Sequence, residues 1–197
     1  MTQKTVSLAC PGCGAHVSTE QKKCEYCGGP VIIATFESVN SMSVADTNKY
    51  TIAYRKALAE NPDNRELNAS LAMCYLKLKL YDKAISAFEN AIEDNFDNSE
   101  IFFDTAVSLL RGQKAFVAQR ADIDKIIEYL NAAIMIEPKG IYHYFLAYVK
   151  YDYFHRKYLN ISPGYIDEYD RAMEAGVSED EIQGFFSVLG VERPDGM

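Results

Sequence analysis

Four of this chain's five cysteines fall within its first 27 residues, as Cys10-Pro-Gly-Cys13-Gly and Cys24-Glu-Tyr-Cys27-Gly. Ten residues separate the two pairs. Two thiolates from one tight turn supply one edge of a tetrahedron, and a second turn supplies the opposite edge, so this spacing predicts a segment that folds around a metal ion. Glycine follows each pair, at Gly14 and Gly28. A turn that aims backbone N–H groups at sulfur can require positive φ, which glycine tolerates. Between the pairs, residues 15–19 read as a short strand. After the second pair, the β-branched run Pro30-Val-Ile-Ile-Ala-Thr-Phe36 reads as another.

This arrangement resembles the short zinc ribbons, over roughly residues 8–34. The resemblance implies that Cys10, Cys13, Cys24 and Cys27 are the ligands. A closed four-thiolate site leaves no position for a reacting water, so the metal is expected to be structural. Zinc is the expected ion, with iron in the same geometry left open. His16 and Cys74 read as packing residues, and a thioredoxin-like redox role lacks its βαβ setting.

After a polar stretch at 35–48, apolar residues recur at helical spacing from about Lys49. Leu71, Ala72, Tyr75, Tyr81, Ala84, Phe88 and Ala91 resemble the signature of the tetratricopeptide repeat, a helix–turn–helix unit, in residues 65–98. Tyr54, Ala57 and Pro62 fit a preceding half unit. Ala106, Leu109, Leu130, Ala133 and Pro138 fit a third unit with about eight extra residues near 111–121. A fourth starts near Ile141 and closes with Tyr169 and Ala172, with extra residues around 155–164. Ser178-Glu-Asp-Glu181 is a capping box ahead of a closing helix.

The expected architecture is mostly α: an α-solenoid of antiparallel helix pairs behind a small β zinc ribbon. Its segments are a ribbon at 1–34, a linker at 35–48, repeats at 49–177, a capping helix at 178–191 and a loose tail at 192–197. The resemblance implies a concave wall lined by first helices. Projecting that face selects Ala69, Met73 and Leu76, then Phe103, Val107 and Leu110, then Phe145 and Val149, with Tyr142 and Tyr153 beside them. That wall is apolar and lacks a carboxylate-clamping basic set, so an apolar protein or peptide segment is the expected partner. The same stripe also reads as core, filled by the chain's own residues 31–44 or 182–189. The aromatic stretch 142–158 reads as packing.

The net charge of −8 argues against a nucleic-acid-binding protein as a whole. Residues 1–34 carry one net positive charge, from Lys4, Lys22 and Lys23 against Glu20 and Glu25. The alternative function is therefore a nucleic-acid-associated ribbon whose repeats recruit protein. No run approaches a membrane span, no apolar leader follows a charged start, and paired cysteines suit a reducing compartment, so the expected location is cytoplasmic. No pattern pairs acidic residues with a histidine or a nucleophile. Glu93-Asp94 and Asp167-Glu168 read as solvated charge, and the expectation is a binding protein and not an enzyme.

Overall fold

The computed structural model describes residues 5–93 and 96–197, with the side chains of Phe36 and Glu37 set aside. Lys4 and Asp94, named above, lie outside the described residues. Two strands, β1 (Ser7–Ala9) and β2 (His16–Ser18), pair antiparallel with Leu8 opposite Val17. The helices are α1 (Phe36–Asn40), α2 (Val44–Glu60), α3 (Arg65–Lys77), α4 (Tyr81–Ile92), α5 (Ser99–Leu109), α6 (Arg120–Ile136), α7 (Gly140–Val149), α8 (Tyr165–Glu174) and α9 (Glu179–Leu189). The chain divides into two compact units, Met1–Asn95 and Phe96–Met197.

In the first unit, α3 packs against both α2 and α4. Asn64 caps α3 by accepting a hydrogen bond from the Leu67 N–H at 2.9 Å, which satisfies one of the orphan donors of the first turn. On α4, Ala84, Ile85, Phe88 and Ala91 form one buried stripe at helical spacing. Ala72 and Ala84 are fully buried; side chains this small let two helix backbones approach closely, as the repeat signature requires.

The polar stretch at 35–48 differs from the expected linker. Residues 36–40 form α1, and α2 begins at Val44, where the Ser43 side chain accepts from the Asp46 N–H. The expected strand at 30–36 also does not form, apart from a single bridge between Lys23 and Pro30. The run is irregular, with bends at Val31, Ile32 and Thr35, and helix side chains take the place of a partner strand. The Tyr50 hydroxyl donates to the Pro30 carbonyl and the Tyr54 hydroxyl to the Val31 carbonyl, each at 2.9 Å. Ser70 Oγ accepts from the Ile33 N–H at 3.2 Å and donates to the Ile33 carbonyl at 3.0 Å. A backbone group that leaves water needs some partner, and the type of partner is what the propensity of a β-branched run does not specify.

In the second unit, α5 packs on α6, α6 on α7 and α7 on α8, while α9 meets α7. A short 3-10 turn at Ala115–Val117 lies between α5 and α6, in the stretch 111–121. Most of the aromatic stretch is core, with Tyr142, Tyr144, Phe145, Tyr148, Tyr153 and Phe154 buried, while Tyr151 is half-buried and Tyr158 is exposed. Phe185 of α9 lies 4.7 Å from Phe145 and 6.2 Å from both Phe103 and Tyr148, centroid to centroid. The Ser178–Glu181 capping box is present, and Gly190 ends α9 at φ +68°. The tail expected to be loose is tied down, because Arg193 pairs with Glu179 of α9 at 2.6 Å and the Tyr151 hydroxyl donates to the Asp195 carbonyl.

Candidate metal centre

Each cysteine pair sits on the same local turn. The Gly14 N–H donates to the Cys10 carbonyl and the Gly28 N–H to the Cys24 carbonyl, both at 2.8 Å, with φ +81° and +71° at the two glycines. The Cys10 N–H reaches the Ala15 carbonyl, and the Cys24 N–H reaches that of Gly29. These matching bonds bring the two turns face to face. The four sulfurs lie within 4.8 Å of one another. Cys10 Sγ is 3.6 Å from Cys27 Sγ, and Cys13 Sγ is 3.7 Å from Cys24 Sγ. A tetrahedron with metal–sulfur bonds of about 2.3 Å has an edge of about 3.8 Å. The donor set therefore fits a four-thiolate ion such as zinc. Cys10 and Cys24 are buried, while Cys13 and Cys27 are exposed.

Backbone amides prepare this cluster for negative charge. The N–H of Cys27, helped by that of Tyr26, lowers Cys24 to about 7. The Ala15 N–H also favours the Cys13 thiolate, yet desolvation and the three neighbouring sulfurs outweigh it and push that thiol up to about 12. Cys27 is raised as well: the Gly29 N–H favours its thiolate, but the Cys10 sulfur, desolvation and the Cys24 sulfur together outweigh it. Four crowded sulfurs cannot all ionise without a cation among them, which is the condition a divalent metal relieves. An ion held by all four thiolates would have each of its tetrahedral positions filled by the protein.

The ribbon rests on helix α2, which contacts β1. A Cβ added at Gly29 would meet the Tyr50 hydroxyl at 3.2 Å and Cys27 Sγ at 3.6 Å. Tyr50, Tyr54 and Ser70 are residues that sequence reasoning did not single out for this role. Tyr50 and Tyr54 share a face of α2 at i, i+4, but no sequence signal ties that face to the backbone of 30–33.

The expected groove residues are found mostly inside the protein. Met73, Leu76, Val107, Leu110, Phe145 and Val149 are buried, and Ala69 and Phe103 are half-buried. In the first unit, residues 30–40 run across α3 at Ser70 and Lys77, which flank Met73 on the helix; the Lys77 ammonium donates to both the backbone and side-chain oxygens of Asn40 at 2.8 Å. In the second unit, Phe185 packs on Phe103 and Phe145. The chain's own segments thus cover these faces, one of the two arrangements the sequence left open. Cys74 is fully buried, and burial pushes its thiol up to about 12.

Glu168, expected to be solvated, is 2% exposed and pairs with a histidine after all. Its carboxylate meets the Lys150 ammonium at 2.8 Å, His143 Nδ1 at 3.0 Å and Arg171 at 3.3 Å. Desolvation acts to raise this carboxyl, but Lys150 and then His143 outweigh it and hold it below the usual range. The cluster ties α7 and the π-turn at Lys150–Phe154 to α8.

Residues 53–102 match the tetratricopeptide-repeat family. The matched stretch, from within α2 to the start of α5, is tetratricopeptide-repeat sequence, and a four-cysteine cluster sits on the N-terminal hairpin of the same unit. Among solved structures, MamA MSR-1 is 20% identical, with 78% of this chain and 83% of that chain covered and a TM-score of 0.52. A crystal structure of MamA is 20% identical over 73% of this chain and 69% of that chain, with a TM-score of 0.49. MamA from Desulfovibrio magneticus RS-1 is 16% identical over 78% and 75%, with a TM-score of 0.47. At these identities the likeness is one of fold. Among curated proteins, no sequence matches significantly. No helix among the described residues is long and apolar enough to cross a membrane.

Proposed function

We propose that this protein is a non-catalytic, zinc-stabilised adaptor whose tetratricopeptide-repeat helices engage a protein partner. The observation that carries the reading is the set of four sulfurs at tetrahedral spacing, on a ribbon seated against repeat-type helices. Cys10, Cys13, Cys24 and Cys27 hold one structural zinc ion, and a reducing, cytoplasmic setting keeps the thiols available to it. The partner is an apolar protein segment; the repeat face at Ala69, Met73 and Leu76 is where it is expected to dock once its cover is displaced, whereas the face at Phe103, Val107, Leu110, Phe145 and Val149 keeps α9 as its occupant.

Metal analysis of the purified full chain tests the first half: about one zinc per chain is expected, and a Cys10→Ser/Cys27→Ser variant should retain none. Metal-free wild type purified under reducing conditions would overturn it. For the second half, a partner retained from native lysate should survive moderate salt, as an apolar contact does; failure to retain any protein, with zinc bound and with zinc removed, would count against the adaptor. A second reading rests on Tyr26, which is 77% exposed on the second knuckle beside the exposed Lys22 and Lys23. That group can stack on a base, and salt-sensitive binding of a single-stranded oligonucleotide would favour it.

A further inference from the structure

The contacts of residues 30–40 resemble those of a bound ligand more than those of a linker. Four helix side chains hold this segment, and every one of them grips backbone: Tyr50 at Pro30, Tyr54 at Val31, Ser70 at both polar groups of Ile33, and Lys77 at Asn40. Val31, Ile33 and Val39 are almost wholly buried, while Ile32 between the first two is not. Main-chain bonds with alternate side chains in apolar seats are the means by which proteins hold extended peptides. All of these residues lie within the Met1–Asn95 unit.

The start of this segment is also part of the second knuckle. Cys27 and Pro30 are three residues apart, the Cys24 N–H bonds the Gly29 carbonyl, and the Val31 N–H bonds the Lys22 carbonyl at 3.2 Å. The folded knuckle therefore sets where the Pro30 and Val31 carbonyls stand relative to Tyr50 and Tyr54. A ribbon this small has too little core to hold its turns without metal.

We propose that the α2/α3 face is a binding site for an apolar segment held by its backbone, occupied in cis by residues 30–40 (an irregular stretch at 30–35 followed by α1), and that the four-cysteine metal site controls whether this occupant stays in place. The proposal rests on the metal reading above. With the ion bound, the knuckle presents the segment to its seat at high effective concentration, and a competing peptide is excluded. With the ion removed, the knuckle opens, the hold at Pro30 and Val31 is lost, and the seat becomes available to a segment with β-branched residues at alternate positions.

The test uses the full chain under reducing conditions, zinc-loaded and then stripped by a chelator. The probe is a fluorescent peptide with the sequence of residues 30–41. The loaded protein should not bind the peptide. The stripped protein should bind it, with unchanged helical circular dichroism and at least about tenfold faster amide exchange over 30–34. Ser70→Ala, which removes both bonds to Ile33, should weaken peptide binding to the stripped form without changing the zinc content of the loaded form. If zinc is shown to leave while exchange over 30–34 and peptide binding stay the same, the gate is refuted and the metal site stands. Helices that melt together with the ribbon also refute the gate, since the segment is then core. A purified protein without metal refutes the metal reading and the gate with it.

Discussion

Glycines at 140 and 184 provide a pair of substitutions with opposite predicted signs. Gly140 opens α7 under the turn that joins α8 to α9. A Cβ there would lie 2.8 Å from the Val177 nitrogen, 2.9 Å from the Ala172 carbonyl oxygen and 2.9 Å from Val177 Cβ. The first two are the partners of a 3.1 Å backbone hydrogen bond, so neither can rotate away. Alanine removes glycine's conformational freedom in the unfolded chain, a gain of about 0.4–1 kcal/mol. Overpacking against atoms that cannot yield costs about 1–3 kcal/mol, and backbone neighbours put the cost in the upper part of that range. Gly140→Ala is therefore expected to destabilise by about 1–2 kcal/mol. For a chain of this size that lowers Tm by roughly 2–8 °C. Gly184, in the interior of α9, has nothing within 4 Å of its added Cβ. There only propensity acts, and Gly184→Ala should stabilise by up to about 1 kcal/mol. Differential scanning calorimetry of the two variants beside wild type reads both signs. A Tm for Gly140→Ala at or above that of wild type would refute the packing of α7 under this turn.

Two further substitutions test the second unit. Phe185 is 4% exposed and meets Phe103, Tyr144, Phe145, Tyr148 and Phe186; Phe185→Ala should cost about 3–5 kcal/mol in urea unfolding, and a loss below 1 kcal/mol would mean that α9 is not seated there. Glu168→Gln leaves the Lys150 ammonium, whose side chain is 5% exposed, without a counter-charge and should cost about 3–5 kcal/mol at pH 7. Because the folded protein holds Glu168 below its ordinary 4.5, its contribution is complete above that pH and fades as pH falls through the lower folded value. The gap in urea midpoint between wild type and variant should therefore narrow below about pH 4, and a gap that is the same at pH 7 and pH 3 would show that the pair is not ionised as drawn.

The features that could be read from sequence are those whose physics is local. A metal knuckle is two cysteines and a glycine within five residues, and the Ala72–Ala84 contact of the best repeat spans one helical hairpin. The insertion before α6 followed from simple counting between Leu109 and Leu130. What stayed hidden depends on partners from distant parts of the chain. Nothing in the run Pro30–Phe36 says that tyrosines on α2 and a serine on α3 will take the place of a neighbouring strand, since a β-branched run specifies an extended backbone and not the source of its hydrogen bonds. Likewise, Glu168 beside Asp167 has the look of surface charge until Lys150 and His143, 18 and 25 residues away, meet it. The groove projection selected residues that are mostly buried, and spacing alone could not show which segments of the chain cover them.

The two covers differ in kind, and that difference decides which is the better candidate for exchange. In the Phe96–Met197 unit the cover is α9, held by close aromatic contacts such as Phe185 on Phe145 at 4.7 Å. Packing of this sort depends on shape at every ring, and little but the same helix would replace it. In the Met1–Asn95 unit the cover is an irregular segment ending in α1, and its polar contacts over 30–33 go to its backbone. Any chain can offer carbonyls and N–H groups at that spacing, so specificity there rests on a few apolar seats. A site that reads backbone tolerates replacement of its occupant, and a site that reads ring shape does not. Exchange of one chain for another is therefore expected at α2 and α3, beside the cysteines, and not at α9.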